Sequence, residues 1–375
     1  MSIRDTEMTA THILVISDGN KGHLKLSLAV AATIEKTLAV DRGSGGEQCH
    51  TKVVSVEFKH AILKSILKVV NRHIPGRFPC KLDFVRGCLA KHSYETFSRS
   101  RSDIIISCGS AVSGVNSLLK KMRPGAAGIV VLNPGVATWQ DYDLLIIPKH
   151  DLKDASIPPN VLPTSLIPTR ISPEYLKELR TRNWPERRKE GPVIGLLLGG
   201  DNSYYKFTEA NAVSLAKCIA EICSNFNAEL FGTTSRRTPP QAESILKETL
   251  AGSAVRSRLV IGREDTCPLT VEKILSMSDV VLASGESISM VSEAVASGRP
   301  VVVFMLDKKK PFPNKYERFL RDLALGEAIV LARMEQLSAM TMDILSRVNQ
   351  GGRRLPNDPA MLAARLRRLL ESEPV

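Results

Sequence analysis

The stretch DVVLASGESISMVSEAVASGRP, residues 279–300, decides the architecture. Val280, Val281, Leu282 and Ala283 form a short apolar, β-branched run of strand length, and Ser284-Gly285-Glu286-Ser287 interrupts it. A helical pattern opens near Ser287 or Ser289 and stops at Gly298, and Pro300 starts the next apolar run. Strand, small-residue turn, helix and strand, in that order, make the repeating unit of a parallel sheet covered by helices. Backbone amides and hydroxyls left free at such a helix start suit an anion, a diphosphate for example. Glu293, about one turn into the helix, is placed to accept from the two vicinal hydroxyls of a ribose. The plainer alternative is a surface glutamate on an ordinary capped helix.

Outward from this stretch the same alternation fills both halves of the chain. Apolar runs fall at 12–17, 53–58, 103–107, 128–132, 144–148 and 161–167, and again at 192–198, 229–233, 258–261, 280–283, 300–304 and 328–331. Each half is therefore expected to be a doubly wound α/β domain. A proline-dense and then charge-dense segment between them, near 165–190, marks the boundary. The expected organisation is an N-terminal Rossmann-like domain over 1–170, a C-terminal one over 171–350, and a helix within 351–375. That last helix carries Met361, Leu362, Leu366, Leu369 and Leu370 as an apolar stripe beside Arg365, Arg367 and Arg368, and is free to dock on either domain.

The 375 residues exceed what one core usually serves. A hydrophobic share of 43% and a charged share of 24% suit a globular protein and exclude disorder, collagen and coiled coil for the bulk of the chain. No apolar run nears the roughly 18 residues of a spanning helix. The first ten residues, with Asp5 and Glu7, do not read as a signal peptide. Lysines and arginines number 51 against 39 acidic residues, a net charge of +12, which favours an anionic partner. With aromatics at 5% and no nucleic-acid-binding motif, a phosphorylated ligand or an acidic lipid surface is favoured over nucleic acid. Seven cysteines without a CxxC pair point to a reducing, cytoplasmic setting and to no metal site.

Two basic segments bear on a membrane. Over 60–73, Ile62, Leu63, Ile66, Leu67 and Val70 share one helical face and Lys64, Lys68 and Arg72 another, so this helix either lies at the inner face of a membrane as a peripheral contact or packs on the sheet with its lysines in water. Lys308, Lys309, Lys310 and Lys315 follow a strand and either meet ligand phosphates or form a solvated loop.

The chemistry-bearing residues cluster where strands end. The first strand runs into Ser17-Asp18-Gly19-Asn20-Lys21-Gly22-His23, a turn that Asp18 would cap, leaving His23 at the open end of the sheet where a base is useful. Cys108-Gly109-Ser110 and Asn133-Pro134-Gly135 close later strands in the same way. In the second half Gly199-Gly200-Asp201-Asn202 ends a strand, and Thr234-Ser235-Arg236-Arg237-Thr238-Pro239 ends another. Thr238 with Gln241 reads as a capping box with Pro239 in the first helical position, so that Arg236 and Arg237 stand just before a helix start, aimed where a phosphate would rest.

Taken together, the Gly-rich first turn ending in His23, the two Rossmann-like halves and the late Ser-rich turn with Glu293-Ala294 and Gly298-Arg299-Pro300 resemble the GT-B glycosyltransferases. More closely, Asp18-Gly19 with Gly22-His23, Leu197-Leu198-Gly199-Gly200, Thr234 to Pro239, and Ser287-Ile288-Ser289-Met290 with Glu293-Ala294 resemble the family of the plant mitochondrial-fission adaptor and its bacterial relatives, over most of residues 11–335. Two departures stand out: Glu286 replaces the usual aspartate of the late motif, and Thr266-Cys267-Pro268-Leu269 replaces an Asn-Pro-Tyr. The resemblance implies two domains facing across a cleft, with a nucleoside-diphosphate sugar held by the second and an acceptor, lipid-linked or an envelope glycan, by the first. It assigns the sugar-nucleotide site to Gly199, Gly200, Ser235, Arg236, Arg237, Ser287, Ser289, Met290 and Glu293. His23 and Asp18 become the catalytic pair, and Gly19, Gly22, Gly109 and Ser110 line the cleft. Arginines and a helix terminus would stand in for a metal, so a metal-independent transferase without a cofactor is expected. The same family also implies an alternative, a noncatalytic scaffold for a partner protein or membrane, and the same fold serves sugar-nucleotide epimerases.

Overall fold

Strands buried on both faces need continuous apolar runs, and VIGLL and VVLAS, β7 (Val193–Leu197) and β11 (Val280–Ser284), are buried at every position. They are neighbours in a computed structural model that describes residues 10–41, 49–63, 66, 81–135, 137–152, 156–183, 191–253, 255–260, 262, 270–347 and 355–371. The chain divides into two compact units, Met1–Arg170 with Asn357–Val375, and Ile171–Pro356.

The first unit holds a six-stranded parallel sheet in the order β2-β1-β3-β4-β5-β6. Its strands are β1 (Thr11–Ser17), β2 (Cys49–Ser55), β3 (Ile104–Cys108), β4 (Ala127–Val131), β5 (Leu144–Pro148) and β6 (Val161–Thr164). β2 begins earlier than its apolar run: Cys49 to Lys52 pair with β1, yet this is the edge strand and most of its side chains are exposed or half-buried, so hydrophobicity does not mark it. The helix Asp358–Glu371 belongs to this unit. Leu362 and Leu366 enter the core formed by Ile13, Val15, Ile104 and Ile106, and Asp358 accepts the Leu166 amide at 2.6 Å.

The second unit holds another six-stranded parallel sheet, in the order β10-β9-β7-β11-β12-β14. β9 is Glu229–Thr233, β10 Arg256–Val260, β12 Val301–Phe304 and β14 Val330–Ala332. Counted within the unit this is the 3-2-1-4-5-6 arrangement of dinucleotide-binding domains. A short antiparallel pair, β8 (Tyr205–Lys206) with β13 (Asp307–Lys308), is too brief and too polar to stand out in the sequence. Among the described residues no helix is long and apolar enough to cross a membrane. Most of the amphipathic segment 60–73 and the stretch 266–269 lie outside the described residues.

In an open parallel sheet ligands bind beyond the carboxyl ends of the strands, where the strand order reverses. That point lies between β1 and β3 in the first unit and between β7 and β11 in the second. The sequence-derived candidates sit at these two places.

Candidate functional site

In the first unit, β1 ends at Ser17 and the helix Lys21–Asp41 follows. Asn20, not Asp18, caps that helix: its Oδ1 accepts the amides of Gly22 at 2.8 Å and His23 at 3.3 Å. Asp18 caps the turn before it, as expected, its Oδ1 accepting the Asn20 amide at 3.1 Å. Asn20 lies next to the helix and reaches the amides two and three residues on, so the second oxygen of Asp18 is left for another partner. Asp18 Oδ2 meets His23 Nδ1 at 2.9 Å, with side-chain exposures of 9% and 32%. A carboxylate on Nδ1 fixes the ring and leaves Nε2 as the basic nitrogen.

Gly109, at φ +69°, passes under this ring, and a Cβ there would stand 3.1 Å from His23 Cε1. Ser110 is the next residue, and a Cβ on Gly135 would stand 2.8 Å from the Cβ of Ser110. Gly19 turns the chain at φ +81°. Asp18, Gly19, Gly22, His23, Gly109 and Ser110 are thus drawn to the carboxyl end of one sheet. Burial, with a smaller contribution from Asp18, pushes the Cys108 thiol far up, so it is no nucleophile.

In the second unit the loops after β7, β9 and β11 are tied into one body. The Gly199 amide donates to Ser284 Oγ at 2.8 Å and the Gly200 amide to Glu286 Oε1 at 2.7 Å. Gly199 carbonyl oxygen accepts from Ser235 Oγ at 2.9 Å and from the Thr238 hydroxyl. Thr238 Oγ1 also accepts the Ser235 amide at 3.0 Å. The capping box expected at Thr238 and Gln241 is therefore absent. The helix begins one residue later, at Pro240, with Pro239 as its cap. The Thr238 side chain is turned inward to fasten the loop to Gly199, so it is unavailable to the helix.

The two glycines lie between the arginine loop and the last helix start. A Cβ on Gly199 would come within 3.1 Å of Ser287 Cβ, and one on Gly200 within 2.4 Å of the Arg237 backbone. Only glycine lets the chain pass there. Arg236 and Arg237 are exposed, with Arg237 Nη1 3.4 Å from the Asp201 carbonyl oxygen. The helix Ile288–Ala296 is capped by Ser287 through no side-chain bond and has no acidic residue in its first turn. Ser289 is exposed, Met290 half-buried, and Glu293, one turn on, only 5% exposed. Lys309 reaches the same loop, bonding Asp201 Oδ2 at 3.1 Å and Asn202 carbonyl oxygen at 3.0 Å. The alternatives left open for that basic stretch narrow accordingly, since Lys309 is fastened beside Gly200.

Gly199, Gly200, Ser235, Arg236, Arg237, Ser287, Ser289, Met290 and Glu293 lie on the loops and helix start at this end of the sheet, and with them Glu286, which the sequence marked as a departure from the family motif without a place in the site. That residue is 1% exposed and forms the centre of the three loops. Burial raises its carboxyl above the ordinary range, opposed by hydrogen bonds from its own amide, Gly200 and Ser284 and by the charge of Arg237. The visible signal was an acid between a fully apolar strand and an apolar helix. The amides of Gly199 and Gly200 are spent inside the protein, so these glycines contribute clearance rather than free N–H groups.

The family described as Mitochondrial fission ELM1 matches residues 22–350. The chain belongs to this family. The match takes in His23 and every second-unit residue named above but begins after Asp18. An uncharacterized protein of Rickettsia prowazekii, RP120, is 23% identical over 54% of this chain, and the match spans 64% of that protein's length. Among solved structures, a UDP-GlcNAc 2-epimerase of Methanocaldococcus jannaschii aligns with 96% of this chain and 99% of its own, at 12% identity and a TM-score of 0.55. A UDP-GlcNAc 2-epimerase of Neisseria meningitidis, bound to UDP-GlcNAc, covers 97% and 99% at 12% identity and 0.54. MurG of Acinetobacter baumannii covers 97% and 96% at 14% identity and 0.44. The α/β fold of this ELM1-family protein, two Rossmann-like units, is thus of the GT-B type shared by glycosyltransferases and sugar-nucleotide epimerases.

Proposed function

We propose that this protein is a glycosyltransferase-like enzyme whose second unit binds a nucleoside-diphosphate sugar and whose first unit handles the acceptor. One observation carries the reading: three loops of the second unit are hydrogen-bonded together at its topological switch point, with two exposed arginines on one side and an open helix start on the other. Arg236 and Arg237 offset the diphosphate charge, the amides of the first turn of Ile288–Ala296 take its oxygens, and Glu293 holds the ribose. His23, oriented by Asp18, receives the proton of the acceptor hydroxyl. In the transfer the acceptor oxygen bonds to the anomeric carbon, the bond from that carbon to the diphosphate oxygen breaks, and the nucleoside diphosphate leaves. Neither a metal nor a cofactor is assigned a role. The proposed setting is cytoplasmic, with an anionic membrane surface as a further partner where the acceptor is lipid-linked.

Melting curves with UDP, GDP and CMP test the reading. A ligand at 100 times its dissociation constant stabilises the folded chain by about 2.7 kcal/mol. At least one nucleotide is expected to raise the melting temperature, and Arg236→Ala to weaken its binding about tenfold or more, the scale of a lost charge-assisted hydrogen bond. No shift with any nucleotide would favour the noncatalytic scaffold instead.

A further inference from the structure

We infer that Glu286 is the positioning residue of the anion site in the second unit, the group that sets the spacing of its loops so that a nucleoside diphosphate is gripped in preference to the monophosphate. This deepens, and rests on, the donor-site reading above.

The carboxylate is 1% exposed, and its Oε1 accepts from the Gly200 amide at 2.7 Å and from the Ser284 hydroxyl at 3.0 Å. Its backbone carbonyl takes Asn202 Nδ2 at 3.2 Å. Among the described residues Oε2 is buried with no hydrogen-bond partner. A buried carboxylate with one oxygen unused is a costly way to hold a loop, and an apolar side chain would fill the space more cheaply. What an apolar side chain would not supply is a chain of bonds. Glu286 fixes Gly200, the next residue, Asp201, donates its amide to Arg237 carbonyl oxygen at 3.0 Å, and Arg237 Nη1 returns to Asp201 carbonyl oxygen at 3.4 Å. On its other side Glu286 is one residue from Ser287, the cap of the helix Ile288–Ala296. Its side chain is therefore the strut between the arginine loop and the helix start. A ligand with one phosphate needs one of these two anchors; a diphosphate needs both, at a fixed separation.

Calorimetry of the full chain with UDP against UMP, and with GDP against GMP, reads the effect directly. The wild type is expected to prefer the diphosphate. Glu286→Ala should lower diphosphate affinity about tenfold or more while monophosphate affinity stays within about twofold, the scale of a misplaced hydrogen-bonding anchor. Glu286→Gln keeps the Oε1 acceptor and should retain the preference to within about threefold. An undiminished preference in Glu286→Ala overturns the inference, and so does an equal loss for both ligands, which would mean general collapse of the site. If Glu286→Ala does not fold, Glu286→Leu carries the test. It fills the buried space but removes the acceptor for the Gly200 amide, and an unchanged preference there is equally fatal. A wild type that binds nucleotides without distinguishing one phosphate from two overturns the inference alone, whereas one that binds no nucleotide overturns the donor-site reading with it.

Discussion

At the scale of single residues, the two switch points hold carboxylates of opposite character. Asp18 is paired with an imidazole at 2.9 Å, whereas Glu286 is shut among amides and hydroxyls. His23→Ala is expected to reduce release of nucleoside diphosphate from the bound sugar nucleotide by about 100-fold or more, the usual contribution of a positioned base. The nucleotide dissociation constant should not move, because the residues proposed to bind the nucleotide belong to the other unit; a weakened affinity with unchanged turnover would remove His23 from the mechanism. Glu286 makes a different prediction. Its carboxyl sits above the ordinary value of 4.5, chiefly through desolvation. Below that value folded and unfolded chains are both protonated and burial costs no charge. As pH rises above it, the unfolded chain releases the proton first, so stability falls until the folded group also ionises. Glutamine has no proton to release. The melting-temperature difference between Glu286→Gln and the wild type should therefore drift in the variant's favour as pH rises from 4.5. A difference that stays flat to neutral pH would place the carboxyl in a solvated environment.

At the scale of elements, strands were legible wherever both faces are buried. The runs at 144–148 and 229–233 coincide with β5 and β9, and most others differ by a residue or two at an end. Edge and polar strands were not legible, because Cys49 to Lys52 and the β8–β13 pair owe their conformation to backbone partners rather than to apolar faces. The site showed the same division. Glycine, serine and arginine at strand ends announced three loops, but which hydroxyl or amide each loop engages depends on strands far apart in sequence, so Thr238 and Asn20 were given the wrong tasks or none. Thr238 makes a prediction of its own. Thr238→Val keeps the shape and removes the hydroxyl that binds Gly199 carbonyl oxygen and the Ser235 amide. The Ser235 amide loses its acceptor and Gly199 carbonyl oxygen keeps only the Ser235 hydroxyl, so denaturant unfolding should show a loss of about 1–3 kcal/mol. Nucleotide binding should weaken with it, since Arg236 and Arg237 ride on this loop. Stability unchanged with binding intact would mean that the loop is held elsewhere.

At the scale of the whole molecule, the alternation of strand and helix was enough to give two doubly wound units, since that pattern has few right-handed, uncrossed solutions. The sequence did not reveal where the last helix docks, because a stripe of leucines beside arginines fits any apolar surface. In the structure Asp358–Glu371 returns to the first unit, almost two hundred positions from the Leu166 amide it caps. The first unit is therefore built from both ends of the chain, and its stability should depend on a segment beyond the second unit. Leu366 is fully buried in the core that contains Ile13 and Ile104. Leu366→Ala should destabilise the first unit by about 2–5 kcal/mol, as cavity-forming core substitutions do. Hydrogen exchange localises the effect. Amides of β1, β3 and β4 should exchange faster while those of β7, β9 and β11, which pack in a separate core, keep their protection. Nucleotide affinity, proposed to reside in the second unit, should be preserved. Faster exchange in both sheets, or in neither, would show that the helix does not stabilise the first unit in the way its leucines indicate.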